Sequence, residues 1–175
     1  MIDTFANLNL NLPGSSITLR RATRDDLPAI VRLLVDDPIG RTREAAGEAD
    51  DFGPYTAAFT AIDTDPAQLL VVAADGIDVV ATMQLSFIPG LARRGALRAQ
   101  AEAVRVAASH RSRGLGDAMF RWAIDEARRR GCAVVQLTTD KSRTDAHRFY
   151  ERLGFTASHE GFKLQLQPVS TGTLL

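Results

Sequence analysis

Residues 69–88 read LLVVAADGIDVVATMQLSFI, two β-rich runs on either side of Asp75-Gly76. An Asp-Gly pair supplies the positive φ angles of a tight turn, so the two runs should fold back on one another as antiparallel strands. A chain carrying this hairpin at its centre has to build a sheet around it. Three further segments read as partners: ITLRRAT (17–23), which alternates apolar and polar residues, the buried-type run CAVVQLTT (132–139), and a closing strand GFKLQLQ (161–167). Residues 96–107 (ALRAQAEAVRVA) form another strand candidate, although alanine is a poor strand former.

Helical patterns fill the intervals. Asp25 offers an N-cap, Pro28 falls in a first turn, and Ile30, Leu33 and Leu34 follow at helical spacing to about Val35. PYTAAFTAID (54–63) is a weakly patterned second helix, after a polar stretch from about 36 to 54 that reads as a loop with a short helical piece. GDAMFRWAIDEARRRG places Phe120, Ala123, Ile124 and Ala127 on one face and stops at Gly131. SRTDAHRFYERLG does the same with Ala146, Phe149, Tyr150 and Leu153, ending at Gly154. The expected order is β-α-α-β-β-β-α-β-α-β, an α/β chain with a mixed sheet and helices on both faces. It should occupy one domain over residues 17–167, after an irregular lead-in (1–16) and before a tail (168–175).

Composition narrows the function. The 21 basic and 21 acidic residues cancel, which disfavours nucleic acid as the main partner. Arg93-Arg94 and Arg128-Arg129-Arg130 read as solvated faces or helix ends. Cys132 is the only cysteine, placed before an apolar run like a small buried hydrophobe. His110, His147 and His159 have no metal-ligand spacing, so no metal is expected. The start MIDTFANLNLNLPGSS lacks a basic region followed by an apolar stretch, and no run of about 18 apolar residues occurs. A cytoplasmic protein with no membrane partner is the expectation.

The segment RSRGLGDAMF (111–120) places two arginines and two glycines at the mouth of a helix. A flexible loop is one account; an anion cradle is the other. The first N–H groups of a helix have no intrahelical partner and carry the positive end of the dipole. Gly114 and Gly116 would let a phosphate approach that backbone, while Arg111 and Arg113 add forked cationic donors. The spacing is neither a dinucleotide fingerprint nor a P-loop, because no glycine motif directly follows a strand and no GK[ST] follows.

Context favours the cradle. Arg111, Gly114 and Gly116 match an [RQ]xxGx[GA] loop; upstream lie Glu102 and Val104-Arg105-Val106; downstream Ala146, Phe149, Tyr150, Glu151, Gly154 and Phe155 match AxxFYExxGF. In these features, over about residues 17–166, the chain resembles the GNAT acetyltransferase superfamily. The resemblance implies a GNAT-like, mostly antiparallel central sheet, acetyl-CoA as cosubstrate, and a homodimer for which Phe162–Leu166 is one contact. It implies that Arg111, Ser112, Arg113, Gly114, Leu115, Gly116 and Asp117 wrap the coenzyme's diphosphate, with Asp117 a first-turn acid. Val104, Arg105 and Val106 would pair with the pantetheine amides. Arg143, His147 and Tyr150 would lie along the coenzyme, although Arg143 stands where many members carry asparagine.

Acyl transfer to an amine requires that the acceptor ammonium lose a proton and the departing thiolate gain one. Glu102 is the candidate base, directly or through water; its alternative is a surface carboxylate. Strand alternation would set it on the face of Val104 and Val106, with Gln100 on that face to orient water or substrate. Tyr150 is the candidate acid, implied by its place in AHRFYERLGF; the alternative is a core aromatic beside Phe149. His110 is a base by type, yet its place in the loop suits a coenzyme contact or exposure. Acceptor identity would lie in the 36–55 and 88–96 segments, where Asp50, Asp51 and Tyr55 could attract and cover a cation. An N-acetyltransferase for a small amine leads. A protein lysine or N-terminal acetyltransferase and a non-catalytic acyl-CoA sensor follow.

Overall fold

The computed structural model describes residues 7–12, 15–36 and 52–166. Asp50, Asp51, most of the polar stretch before them and the tail 168–175 lie outside the described residues. The chain divides into two compact units, Met1–Leu137 and Thr138–Leu175.

The first unit contains a six-stranded sheet in sequence order: β1 (Leu8–Leu12), β2 (Ser15–Arg21), β3 (Gln68–Asp75), β4 (Asp78–Ile88), β5 (Leu97–Val106) and β6 (Cys132–Leu137). Every neighbouring pair is antiparallel except β5–β6, which is parallel. The Asp75-Gly76 turn closes β3 on β4 as the hairpin pattern requires, with Asp75 opposite Asp78 and Gly76 at φ +60°. β1 lies where an irregular lead-in was expected. LNLNL alternates with period two, and Leu10 is buried while Asn9 receives a hydrogen bond from Thr18. Asparagine's poor strand propensity hides that alternation, and pairing with β2 overrides it.

Each sheet face is covered by helix. Leu70 and Val72 of β3 pack with Leu27 and Ile30 of α1 (Leu27–Val35) and Phe59 of α2 (Gly53–Thr64). The other face carries Leu69, Val71, Met83, Leu85, Ala99 and Ala101, all buried. Helix α3 (Leu115–Arg129) packs on β5 and β6 and contributes Leu115, Met119, Phe120, Ala123 and Ala127 to the core.

Two buried carboxylates tie the elements. Asp26 receives both guanidinium nitrogens of Arg20, at 2.6 and 2.7 Å, and the Thr23 amide and hydroxyl. Burial alone would push its pKa up, but these donors outweigh that and hold it below the usual carboxylate range. Glu126 behaves likewise: burial opposes its charge, while Arg129 and Arg130 donate to it and leave its pKa lowered. Arg130 is no solvated helix end. Its guanidinium lies 4.1 Å over the Phe87 ring. Burial raises the Cys132 thiol, as suits an inert small side chain.

The second unit contains α4 (Thr144–Arg152), which ends at Gly154 with φ +90°. Residues 155–166 form no strand, and Phe162 and Leu164 are 93% and 85% exposed. The alternation of Phe162, Leu164 and Leu166 fits a strand, but a strand also requires a sheet edge to bond with. Among the described residues, no helix is long and apolar enough to cross a membrane.

Candidate active site

β6 pairs with only the first half of β5. The parallel ladder runs from Leu97–Cys132 to Ala101–Leu137 and stops. From Glu102 to Val106, β5 keeps β4 on one side and has no strand partner on the other among the described residues. An unpaired stretch of backbone is a template for an extended chain with amide groups of its own.

A β-bulge sits in that stretch. Gln84 faces Glu102 and Thr82 faces Arg105, so two steps on β4 span three on β5. Ala103 takes up the extra residue at φ +51°. The consequence corrects the alternation argument for this strand. Arg105, opposite Thr82, shares the face of Glu102, whereas Val106, opposite Ala81, points to the other face. Alanine carries no sequence signal for such a bulge.

Glu102 is exposed, on the sheet face where α1 packs against β4 and β5. Its Oε1 accepts a 2.8 Å hydrogen bond from Gln100 Nε2, so the two residues do share a face, as alternation before the bulge requires. Gln100 Oε1 in turn accepts from Gln136 Nε2 of β6 at 2.7 Å. In the sequence Gln136 is a lone glutamine in an apolar run and carries no motif.

Past Val106 the chain turns through a 3-10 segment, Ala108–His110, into the glycine loop. Two residues of the loop are left-handed: Ser112 at φ +60° and Gly114 at φ +84°. Gly114 is thus required for its backbone as well as for its missing side chain, and it caps α3 by accepting from the Ala118 amide at 3.0 Å. The amides of Leu115, Gly116 and Asp117 open that helix, so none has an intrahelical acceptor. The Leu115 side chain itself is buried and anchors this first turn in the core. Asp117 is engaged by Arg121 at 2.6 Å, the pairing expected of a first-turn acid.

Arg111 braces the loop. Its Nε donates to the Val106 carbonyl at 2.9 Å and its Nη2 to Asp36, after the end of α1, at 3.0 Å. Arg113 is exposed and has no ion-pair partner among the described residues. His110 pins the turn from the other side: Nε2 lies 3.3 Å from Asp75 and Nδ1 lies 2.8 Å from the Ser109 hydroxyl. A carboxylate accepts only, so Nε2 is the nitrogen that donates to Asp75. The loop therefore presents helix amides and Arg113 while its own arginine and histidine hold it in shape, which fits a diphosphate.

Within the second unit, the Tyr150 ring lies edge-on to Phe149 and Phe155, at centroid distances of 5.3 and 6.0 Å. The amides of Leu153 and Phe155 both donate to the Tyr150 carbonyl. His147 donates through Nε2 to the Asp140 carbonyl at 3.1 Å, and the Arg143 amide donates to that same carbonyl at 3.0 Å. Among the described residues, no group of three or more His, Cys, Asp or Glu side chains is arranged to hold a metal ion.

Comparison with known proteins identifies a family for the chain. Residues 27–155 match the model of the Acetyltransferase (GNAT) family. A solved structure described as a transcriptional regulator from Bacillus halodurans C-125 is 43% identical, with a TM-score of 0.81 over 86% of this chain and 99% of that one. An acetyltransferase of Trypanosoma brucei is 26% identical, with a TM-score of 0.70 over 86% of this chain and 100% of that one. The aminoalkylphosphonate N-acetyltransferase of Salmonella typhimurium is 42% identical over 52 residues, 30% of this chain and 34% of that enzyme, so the match spans about a third of the relative. With a family model matched from α1 through the end of α4, over a sheet of this order, the chain belongs to the GNAT acetyltransferase family.

Proposed function

We propose that the protein transfers the acetyl group of acetyl-CoA to a primary amine of a small molecule. Family membership supports the acyl-CoA-dependent transfer. The observation that carries the reading is the half-paired strand β5, with an exposed Glu102 where β6 leaves it and a glycine-capped helix mouth after its end. In this reading the diphosphate rests on the amides of Leu115, Gly116 and Asp117, with Arg111, Ser112, Arg113 and Gly114 shaping the loop. Val104, Arg105 and Val106 offer backbone to the pantetheine arm. Arg143 and His147 line the coenzyme, as the resemblance implies. The acetyltransferase domain takes in β1 and all of β2, which begin ahead of the span 17–167 read from the sequence, and the protein is a cytoplasmic homodimer.

The chemistry is a direct transfer. The acceptor ammonium gives a proton to Glu102, and the freed nitrogen attacks the thioester carbonyl carbon. The C–S bond breaks with its electron pair on sulfur, which takes a proton from the Tyr150 hydroxyl, as the resemblance implies. The second proton of the attacking nitrogen restores the phenol through water, and Glu102 returns the first to solvent. An amide and the free thiol of coenzyme A result. The Salmonella relative's substrate class supports a small amine here.

The test is thiol release from acetyl-CoA with a panel of aminoalkylphosphonates, amino acids, polyamines and lysine peptides, for the wild type and Glu102→Gln. Turnover with a small amine, strongly slowed but measurable in the variant, is expected. Turnover confined to peptides would replace the substrate class. The designation of the Bacillus halodurans relative supports a second reading, an acyl-CoA-binding sensor without turnover. Tight acetyl-CoA binding with no thiol release on any amine would establish that one instead.

A further inference from the structure

Gln68, Ser86, Gln100 and Gln136 stand opposite one another on four successive strands, from β3 to β6. Residues in register point to the same side, so this row crosses the sheet on the face that also holds Glu102. The row divides into two hydrogen-bonded clusters that end differently. On β3 and β4, Gln68 Oε1 accepts from both Gln84 Nε2 and Ser86 Oγ, at 3.0 and 2.7 Å. That cluster closes on a neutral carbonyl. On β5 and β6, the chain Gln136 to Gln100 to Glu102 ends on an exposed carboxylate.

The direction of the second chain follows from chemistry. An ionised carboxylate can only accept, so Gln100 must offer Glu102 its NH₂ end. Its carbonyl then faces the other way and needs a donor, and Gln136 Nε2 supplies one at 2.7 Å. The last torsion of a glutamine is broad and nearly two-fold. Without a donor on β6, the Gln100 amide is free to swing its NH₂ end away from the carboxylate to other acceptors or water. Gln136 removes that freedom, and it sits at the penultimate position of β6, immediately before the parallel ladder ends.

We propose that Gln136 is a positioning residue: acting through Gln100, it holds Glu102 with Oε1 capped and Oε2 open to the acceptor ammonium. The proposal rests on the reading of Glu102 as the base. It assigns a role in proton transfer to a strand that the loop and helix motifs do not include.

The test is a double-mutant cycle read by thiol release with acetyl-CoA and 2-aminoethylphosphonate, or the best primary amine of the panel. Gln136→Leu should lower kcat about 5- to 20-fold, the scale of one misaligned hydrogen-bonded group, with acetyl-CoA affinity and melting temperature close to wild type. Gln136→Glu should be slower still. Its carboxylate removes the donor and draws the Gln100 NH₂ away from Glu102, whereas a role in packing alone would favour this isostere over leucine. In a Glu102→Gln background, Gln136→Leu should cost nothing further. A full additional loss there, or wild-type kcat for Gln136→Leu beside a slow Glu102→Gln, would overturn the role of Gln136 alone. Wild-type kcat for Glu102→Gln would overturn the base assignment and the positioning role with it. An independent readout is the Gln100 side-chain amide in ¹H–¹⁵N spectra, whose exchange with water should quicken in Gln136→Leu. An unchanged signal would also refute the chain.

Discussion

At the scale of single residues, the least replaceable position in the loop is Gly114. Its φ of +84° belongs to the left-handed region, and the space around it is not the obstacle, since an added Cβ would meet only a Leu12 methyl at 3.6 Å. Gly114→Ala should therefore cost about 1–2 kcal/mol through backbone strain, visible in denaturant melts, and should weaken acetyl-CoA binding by distorting the helix mouth. Tyr150 is the second such residue. Tyr150→Phe keeps the edge-on packing with Phe149 and Phe155. If its hydroxyl protonates the leaving sulfur, kcat should fall by roughly 10²–10⁴ at unchanged melting temperature. Full turnover in a protein destabilised by about 1 kcal/mol would mark the hydroxyl as structural instead. Gly114 and Tyr150 were both legible in the sequence because each belongs to a spaced motif. Ala103 was not, since nothing about alanine announces a left-handed bulge.

Among the elements, α1 and α3 are each anchored through a buried acid, and pH probes both. Arg20 and Thr23 hold Asp26 just before α1, and Arg129 and Arg130 hold Glu126 in the last turns of α3. Both carboxyl pKa values are lower in the folded chain than is usual for an unfolded one. Their stabilisation is thus present above the unfolded carboxylate range, at about pH 4, and is lost as pH falls through the lower folded values. Melting temperature should drop on acidification, and Glu126→Gln should flatten that fall while lowering stability at neutral pH. An acid limb identical to wild type in Glu126→Gln would remove Glu126 from the account. The strands were unevenly legible for a related reason. Periodicity shows that a segment is able to pair, as LNLNL does with β2 and GFKLQL (161–166) does not, but a partner edge decides whether it pairs.

For the whole molecule, the homodimer proposed from family resemblance has a local observation in its favour: Phe162, Leu164 and Leu166 are all exposed, an apolar row that a monomer seldom leaves to water. Light scattering at micromolar concentration should return about twice 19.0 kDa. Charged substitutions at Phe162 and Leu164 should return the mass to that of one chain without unfolding the sheet. A monomeric wild type would dispose of the dimer, and a dimer indifferent to those substitutions would move its contact elsewhere.

The sequence by itself determined what depends on near neighbours. The Asp75-Gly76 turn enforces its hairpin, apolar spacing of three and four residues sets the helices, and the spacing of Arg111, Gly114 and Gly116 marks the anion loop. Those features follow from φ preferences and periodicities that act within a few residues. Only the tertiary structure decided that β6 leaves β5 at Ala101, and that an extra residue at Ala103 turns Arg105 rather than Val106 to the face of Glu102. It also brought Gln136 onto Gln100, 36 positions away. Strand register and bulges answer to the summed packing of both sheet faces against helices from distant parts of the chain, and no local pattern encodes that sum.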